Sequence, residues 1–328
     1  MTFNYERTFI AQYLNYIMSV HSSPNTLPED GLVELVTVLT AVTDHRPRVL
    51  TVCGGAKLPS GQLAPIHHSL QAGVKDWVRS QTAQPMGYVE QLYTFVDGER
   101  KNAQGMPILY VSYLGLVKEA TENSLNPDAT WQDWYDYFPW EDRRNSSEPT
   151  KILAGLYAWV DAGSDAQERQ ERLRRVQLCW GLSPYTWSEE QVLLRYELLY
   201  EAGLVAESPW QNPNFELHHT GRHMQHSHRR VLATALARLR AKIKYRPVIF
   251  ELMTCEFTLL QLQKTVEALS GQELHKQNFR RQVQQQNLIE AIEGRFAHER
   301  GRPAQLYRFK DTVLLERLLS NTRLPVSK

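Results

Sequence analysis

Hydrophobic residues along this chain change their spacing about a third of the way through. Residues 33–52, VELVTVLTAVTDHRPRVLTV, hold two β-branched runs around the polar stretch Asp44-His45-Arg46-Pro47, which predicts two strands and a turn. A helix is predicted over 69–81. The runs YVEQLYTFVDG and PILYVSYLGLV then read as strands on either side of a polar loop at 100–105. Strand, strand, helix, strand, strand predicts an α+β or α/β domain over residues 1–120.

Further on, the spacing turns helical. Residues 129–149, ATWQDWYDYFPWEDRRNSSEP, are too aromatic for a linker: Trp131, Trp134, Tyr135, Tyr137, Phe138 and Trp140 need something to pack against. Helices are predicted at 150–178 and 188–204, the latter with Ser188 as N-cap. The stretch 207–221, ESPWQNPNFELHHTG, has the Pro, Asn and Gly content of a connection and is placed as a domain boundary. Residues 228–245, HRRVLATALARLRAKIKY, predict one long helix. Leu232, Leu236 and Leu239 lie on one side of it, and Arg229, Arg238 and Lys242 mostly elsewhere.

The last third has a readable order. Thr258 and Gln261 have the spacing of a capping box, Leu262, Val266 and Leu269 mark an apolar face, and Gly271 is placed to end that helix. A second helix follows in HKQNFRRQVQQQNLIE. Phe279 and Val283 anchor it, while Gln277, Arg280, Arg281, Gln284 and Gln285 point mostly outward. Two short helices, the second crowded with Arg, Gln and Asn, suit a DNA-reading pair: Arg can bridge guanine O6 and N7, and Gln or Asn adenine N6 and N7. LIEAI and AQLYRF then bracket EGRFAHERGRP, a predicted hairpin with Arg295, Arg300 and Arg302 at its tip, the wing of a winged helix.

Charge sharpens this reading. The formal net charge is +1, yet residues 221–310 carry 17 Lys and Arg against 7 Asp and Glu, and the rest of the chain 20 against 29. A basic module on an acidic body has the electrostatics of a protein with a polyanionic partner.

Residues 58–81, LPSGQLAPIHHSLQAGVKDWVRSQ, resemble the Nudix hydrolase box: Gly, five residues, Glu, seven residues, then Arg-Glu-apolar-x-Glu-Glu. Set on Gly61, the first Glu position falls on His67, the Arg-Glu pair on Lys75-Asp76, the apolar position on Trp77, and the final pair on Arg79-Ser80. One carboxylate beside an arginine makes a poor Mg²⁺ site, so no catalytic residue is assigned. His67, Lys75 and Arg79 are expected to hold the phosphates of a nucleotide effector, with His68 alongside.

The segments KYRPVIFELMTCEFTLLQLQKTVEALSGQELHKQNFRRQV and GRPAQLYRF resemble the winged-helix half of the Nudix-related regulators of bacterial NAD metabolism, the NrtR type. WQDWYDYFPWEDRR and RYELLYEAGLVAES are similar to the longer NadQ-type branch. The resemblance implies a homodimeric repressor with a non-catalytic Nudix-like sensor and a C-terminal winged helix-turn-helix. Its operator would be double-stranded DNA ahead of NAD biosynthesis or transport genes, and its effector ADP-ribose, ATP or NAD. It also implies that Lys276, Gln277, Asn278, Arg280 and Arg281 lie on the DNA-reading helix and Arg302 on the wing; Thr258 and Gln284 complete the expected DNA-facing set.

The expected fold class is therefore α+β: a Nudix-like α/β/α sensor (1–120), an aromatic and helical segment (121–215), and a long helix with the winged helix (216–328). The histidine run HHTGRHMQHSHRR places His219 and His223 at a metal-ligand spacing, but it contains no acid or cysteine, and no metal is assigned. The aromatic belt at 131–140 could stack a nucleotide base, though packing accounts for it more simply. Three scattered cysteines, an opening stretch without signal-peptide character and no long apolar run predict a cytoplasmic protein without a membrane partner. Two alternatives remain open from sequence: an atypical Nudix hydrolase of a nucleoside diphosphate derivative, and a scaffold whose winged helix binds protein.

Overall fold

The computed structural model describes residues 33–87, 89–120, 124–144, 149–245, 248–297 and 303–311. The opening stretch, and Arg300 and Arg302 of the expected wing, lie outside the described residues.

A mixed sheet forms the first layer, with strand order β4-β5-β1-β2-β6 and β3 paired to β1 off that path. The strands are β1 (Val33–Thr43), β2 (Arg46–Thr51), β3 (Ser60–Gln62), β4 (Val89–Lys101), β5 (Pro107–Leu116) and β6 (Thr130–Asp133). Strand β1 pairs in parallel with β5 and antiparallel with β3 near its start and with β2 near its end. The turn before β2 is shorter than predicted. Asp44 and His45 both adopt positive φ, and Arg46 already pairs with Thr43, as a tight hairpin matched to strand twist requires. Strand β4 is longer than predicted and takes in Arg100.

Successive residues of β1 face opposite layers, as the period of two demands. Leu35 packs with Val74 of α1 (Leu70–Thr82), together with Val89, Val111 and Tyr113. Val36 and Val38 pack on the other side with Tyr110, Trp134, Tyr137 and Leu236. This is an α/β/α arrangement with α1 on one face and the aromatic segment and the long helix on the other. The belt packs as core: Trp134, Tyr137 and Phe138 are fully buried.

The middle helices are the single-turn α2 (Trp134–Tyr137), α3 (Thr150–Asp161), α4 (Ala166–Trp180) and α5 (Val192–Glu201). The helical stretch predicted at 150–178 is thus two helices. The break falls before Asp165, whose carboxylate caps α4 by accepting from Glu168 N–H at 2.8 Å. Ser188 is not an N-cap: α5 begins at Val192 with no side-chain cap. The backbone oxygen of Ser188 instead accepts from the buried Arg195 guanidinium at 3.0 Å.

The long helix α6 (His228–Tyr245) follows its predicted bounds. Leu232, Leu236 and Leu239 are buried as expected, but so are Arg229 and Arg240. A winged-helix unit follows: β7 (Phe257–Thr258), α7 (Leu259–Ser270), α8 (Lys276–Gln286), β8 (Ile289–Ala297) and β9 (Ala304–Phe309). Its three strands run in the order β7-β9-β8. No helix among the described residues is long and apolar enough to cross a membrane.

Candidate nucleic-acid interface and sensor site

The frame of the box is built by its small residues. A Cβ placed on Gly61 would fall 2.2 Å from the Trp77 ring, so only glycine lets that indole close over β3. Trp77 Nε1 donates to Gln62 O at 2.9 Å, and the Gln81 amide exchanges two hydrogen bonds with the Ser60 backbone, at 2.7 and 3.0 Å. Ser69 caps α1 by accepting from Ala72 N–H. Strand, loop and helix are held as a unit whatever the polar positions carry.

Asp76 is the one acid among the aligned box positions, and the exposed Arg79 occupies one of its oxygens at 2.5 Å. His67 Nε2 stands 3.6 Å from the other oxygen, while its Nδ1 accepts from Ala64 N–H. A hard divalent cation needs several oxygen ligands, and among the described residues no trio of metal-ligating side chains gathers around Asp76. Lys75 is exposed on the same helix, one turn before Arg79. The structure thus brings His67 and Arg79 to one carboxylate, with Lys75 exposed beside them.

Behind the box, the mixed sheet grips the start of α6. Glu34 on β1 accepts from Arg100 Nη1 at 2.6 Å, and Arg100 also donates to the Tyr110 hydroxyl. His228, fully buried, receives the Leu58 N–H on Nδ1 at 2.9 Å. The neutral ring therefore carries its proton on Nε2, which lies 3.9 Å from Glu34, too far for a hydrogen bond. Burial raises the Glu34 pKa, but the Nε2–H of His228 turned toward the carboxylate and the charge of the Arg100 guanidinium outweigh it and hold the carboxyl at about 2. Burial drives His228 below its ordinary value, and Glu34 only partly offsets that. Ser227 adds a bond to Asp97 of β4 at 3.1 Å. No local pattern marks this cluster, whose members are spread over 34–228.

The far end of α6 grips the winged-helix unit. Arg240, 2% exposed, donates from Nε to Leu269 O at 2.9 Å and from Nη1 to Glu141 at 2.5 Å. Tyr135 donates to Ala268 O at 2.7 Å, and Arg143 N–H to Gly271 O at 2.7 Å. Donors from outside the winged helix thus satisfy carbonyls at the end of α7 that the helix itself leaves unpaired. Glu141 also takes Arg195 at 2.6 Å, and the two guanidiniums together overcome the burial that would raise its pKa.

The residues expected to face DNA divide cleanly. Lys276, Gln277, Asn278, Arg280, Arg281 and Gln284 are all exposed on α8, while Phe279 is buried and Val283 half-buried on its inner face. Asn278 and Arg281 approach each other at 3.4 Å. Thr258 departs from the expectation: it is 3% exposed, and its hydroxyl accepts from Gln261 N–H while the Gln261 side chain returns the bond. It sets the start of α7 instead of presenting a side chain to solvent. Arg295 lies within β8, paired to Glu256 at 2.7 Å, instead of at the hairpin tip. His219 and His223 do not share a helix, because a short 3₁₀ turn ends at Gly221.

Comparison with known proteins bears on both halves. The sequence profile of the NrtR DNA-binding winged helix domain matches residues 249–309. A curated relative, the ADPR responsive transcriptional repressor NtrR of Acinetobacter baylyi, is 39% identical over 83 residues. That match takes in 25% of this chain and about a third of the relative's length, 32%. The crystal structure of Shewanella oneidensis NrtR complexed with a 27mer DNA superposes with a TM-score of 0.50 at 21% identity, over 86% of this chain and 95% of that one. A MutT/nudix family protein from Enterococcus faecalis gives 0.48 at 14% identity, over 90% and 93% of the two chains. The fold is that of the NrtR-type, Nudix-related regulators: an α+β Nudix-like domain with a C-terminal winged helix.

Proposed function

We propose that this protein is a DNA-binding transcriptional repressor of NAD-metabolism genes, released or engaged by a nucleotide held on its Nudix-like domain. The observation that carries the reading is α8. Six polar and basic side chains, Lys276, Gln277, Asn278, Arg280, Arg281 and Gln284, stand exposed on one short helix whose opposite face is anchored by Phe279. That is the division a base-reading helix needs.

Arg280, Arg281, Asn278 and Gln284 read base edges, Gln277 lies beside them, and Lys276 holds phosphate, as Arg302 does from the wing. Two copies related by a dyad match a pseudo-palindromic operator. The relative's response to ADP-ribose favours that nucleotide as effector over ATP or NAD. Its phosphates would lie against His67, Lys75 and Arg79, where the arginine-occupied Asp76 offers no seat for magnesium hydrolysis. In this division of labour 1–120 sense, 121–215 join, and 216–328 read, with α6 carrying the signal between its two anchored ends. An effector shifts DNA binding only in so far as it prefers one setting of that linkage.

The test is fluorescence anisotropy of the full chain with DNA from upstream of neighbouring NAD genes, with and without ADP-ribose, ATP or NAD. Specific binding that one of these nucleotides changes, and that Arg280→Ala weakens, is the expected result. Sustained turnover of ADP-ribose with Mg²⁺, or DNA binding indifferent to Arg280→Ala, overturns the reading.

A further inference from the structure

We infer that Glu216, His218 and His219 form a binding site for a borderline divalent transition metal, with zinc the cation it fits. The histidine run carries no acid of its own, which is why its spacing alone predicts no metal. In the fold the acid comes from just upstream. Nε2 of His219 and Nε2 of His218 both converge on the same oxygen of Glu216, at 3.3 and 3.7 Å, and the two imidazole centroids are 4.1 Å apart. All three ligand atoms lie within 4.8 Å of one another.

A simple ion pair would seat one imidazole on a carboxylate. Two on one oxygen is the arrangement a shared cation explains. For tetrahedral zinc with bonds of roughly 2.1 Å, neighbouring ligand atoms stand about 3.4 Å apart, so the trio needs little movement to close on an ion. Two imidazoles and one carboxylate suit zinc and its neighbours in the first transition row, not magnesium or calcium. Glu216 and His218 are largely exposed, which leaves the fourth position to water.

The ligands also sit on a pinned turn. His218 and His219 occupy the 3₁₀ turn Leu217–Thr220, whose last residue is fully buried and donates from Oγ1 to Leu204 O at 2.8 Å. Just ahead of the turn, Phe215 packs so closely on Gly155 that a Cβ there would meet its ring at 3.0 Å. Holding both flanks reduces the ordering that a metal would otherwise have to impose. The bound ion would fix the turn that leads into Arg222 and α6.

The experiment titrates the chelator-stripped full-length protein with zinc chloride by calorimetry and repeats it on His219→Ala, His218→Ala and Glu216→Gln. The expected result is one zinc per chain in the micromolar range. Affinity should fall at least tenfold in each variant, at the lower end of what removal of even a supporting residue costs a metal site. His223→Ala, outside the trio, should match the unaltered protein. A zinc-dependent rise in melting temperature should disappear with the same three substitutions. Zinc binding no tighter than about 100 µM overturns the inference, as does affinity that all three variants retain, since the ion would then sit elsewhere.

Discussion

Arg240 and Glu141 meet as an ion pair at 2.5 Å with almost no solvent on either side chain, joining the long helix to the aromatic segment beneath the reading head. Arg195 shares the same carboxylate. Removing the acid alone would strand two buried guanidiniums. Glu141→Ala should therefore cost on the order of 3–5 kcal/mol, measured by urea unfolding. Replacing Arg240 with Met should also expose the end of α7 to proteolysis, because Leu269 O would lose its external donor.

Acid should loosen the other end of the long helix. Glu34 has a folded pKa near 2 against an ordinary 4.5, so its stabilising contribution is complete above about 4.5 and is lost as pH falls toward 2. His228 lies below its ordinary 6.5, so the unfolded chain takes up that proton first, and stability drops as pH falls through 6.5. Both signs agree. Melting temperature should decline continuously from pH 7 to 4, and the slope between pH 7 and 5 should be shallower in His228→Gln.

Substitutions on α8 should separate two kinds of contact. Arg280→Ala and Arg281→Ala are expected to cost about 1–3 kcal/mol for the cognate operator and to relax base preference at one position. Lys276→Ala should weaken all sequences similarly and lower the slope of log affinity against log salt by about 1. None should change the melting temperature appreciably, since these side chains are exposed.

At the box, frame and chemistry should come apart. Gly61→Ala forces a methyl into the Trp77 ring and should destabilise the sensor by roughly 1–3 kcal/mol. Arg79→Ala touches only exposed surface; thermal stability should hold while nucleotide affinity falls. Equal losses of stability in the two variants would count against the division.

Much of this was legible in the chain, because local signals are written locally. The Thr258–Gln261 capping box, the Gly271 stop and the spacing of Phe279 and Val283 each sit within one turn or two of helix, and the fold reproduces the box and the stop directly. The Gly61 frame was legible for the same reason. What escaped were pairings across long separations. Arg229 reads as charge off the apolar side of an amphipathic helix, yet it is buried, as is Arg240, because acceptors from 137 and 141 wait for them. Glu34, Arg100 and His228 come together only once β1, β4 and α6 are stacked. Thr258, expected in the DNA-facing set, is buried instead, and its hydroxyl belongs to the helix start.

Because α6 is fastened at both His228 and Arg240, its length sets an angular phase. Each residue inserted between those points would turn one end against the other by about 100° and lengthen the span by about 1.5 Å. Seven residues would nearly restore the orientation while lifting the head by roughly two turns. Under the proposed function, the operator geometry accepted would thus be written partly in a residue count, well away from the reading helix.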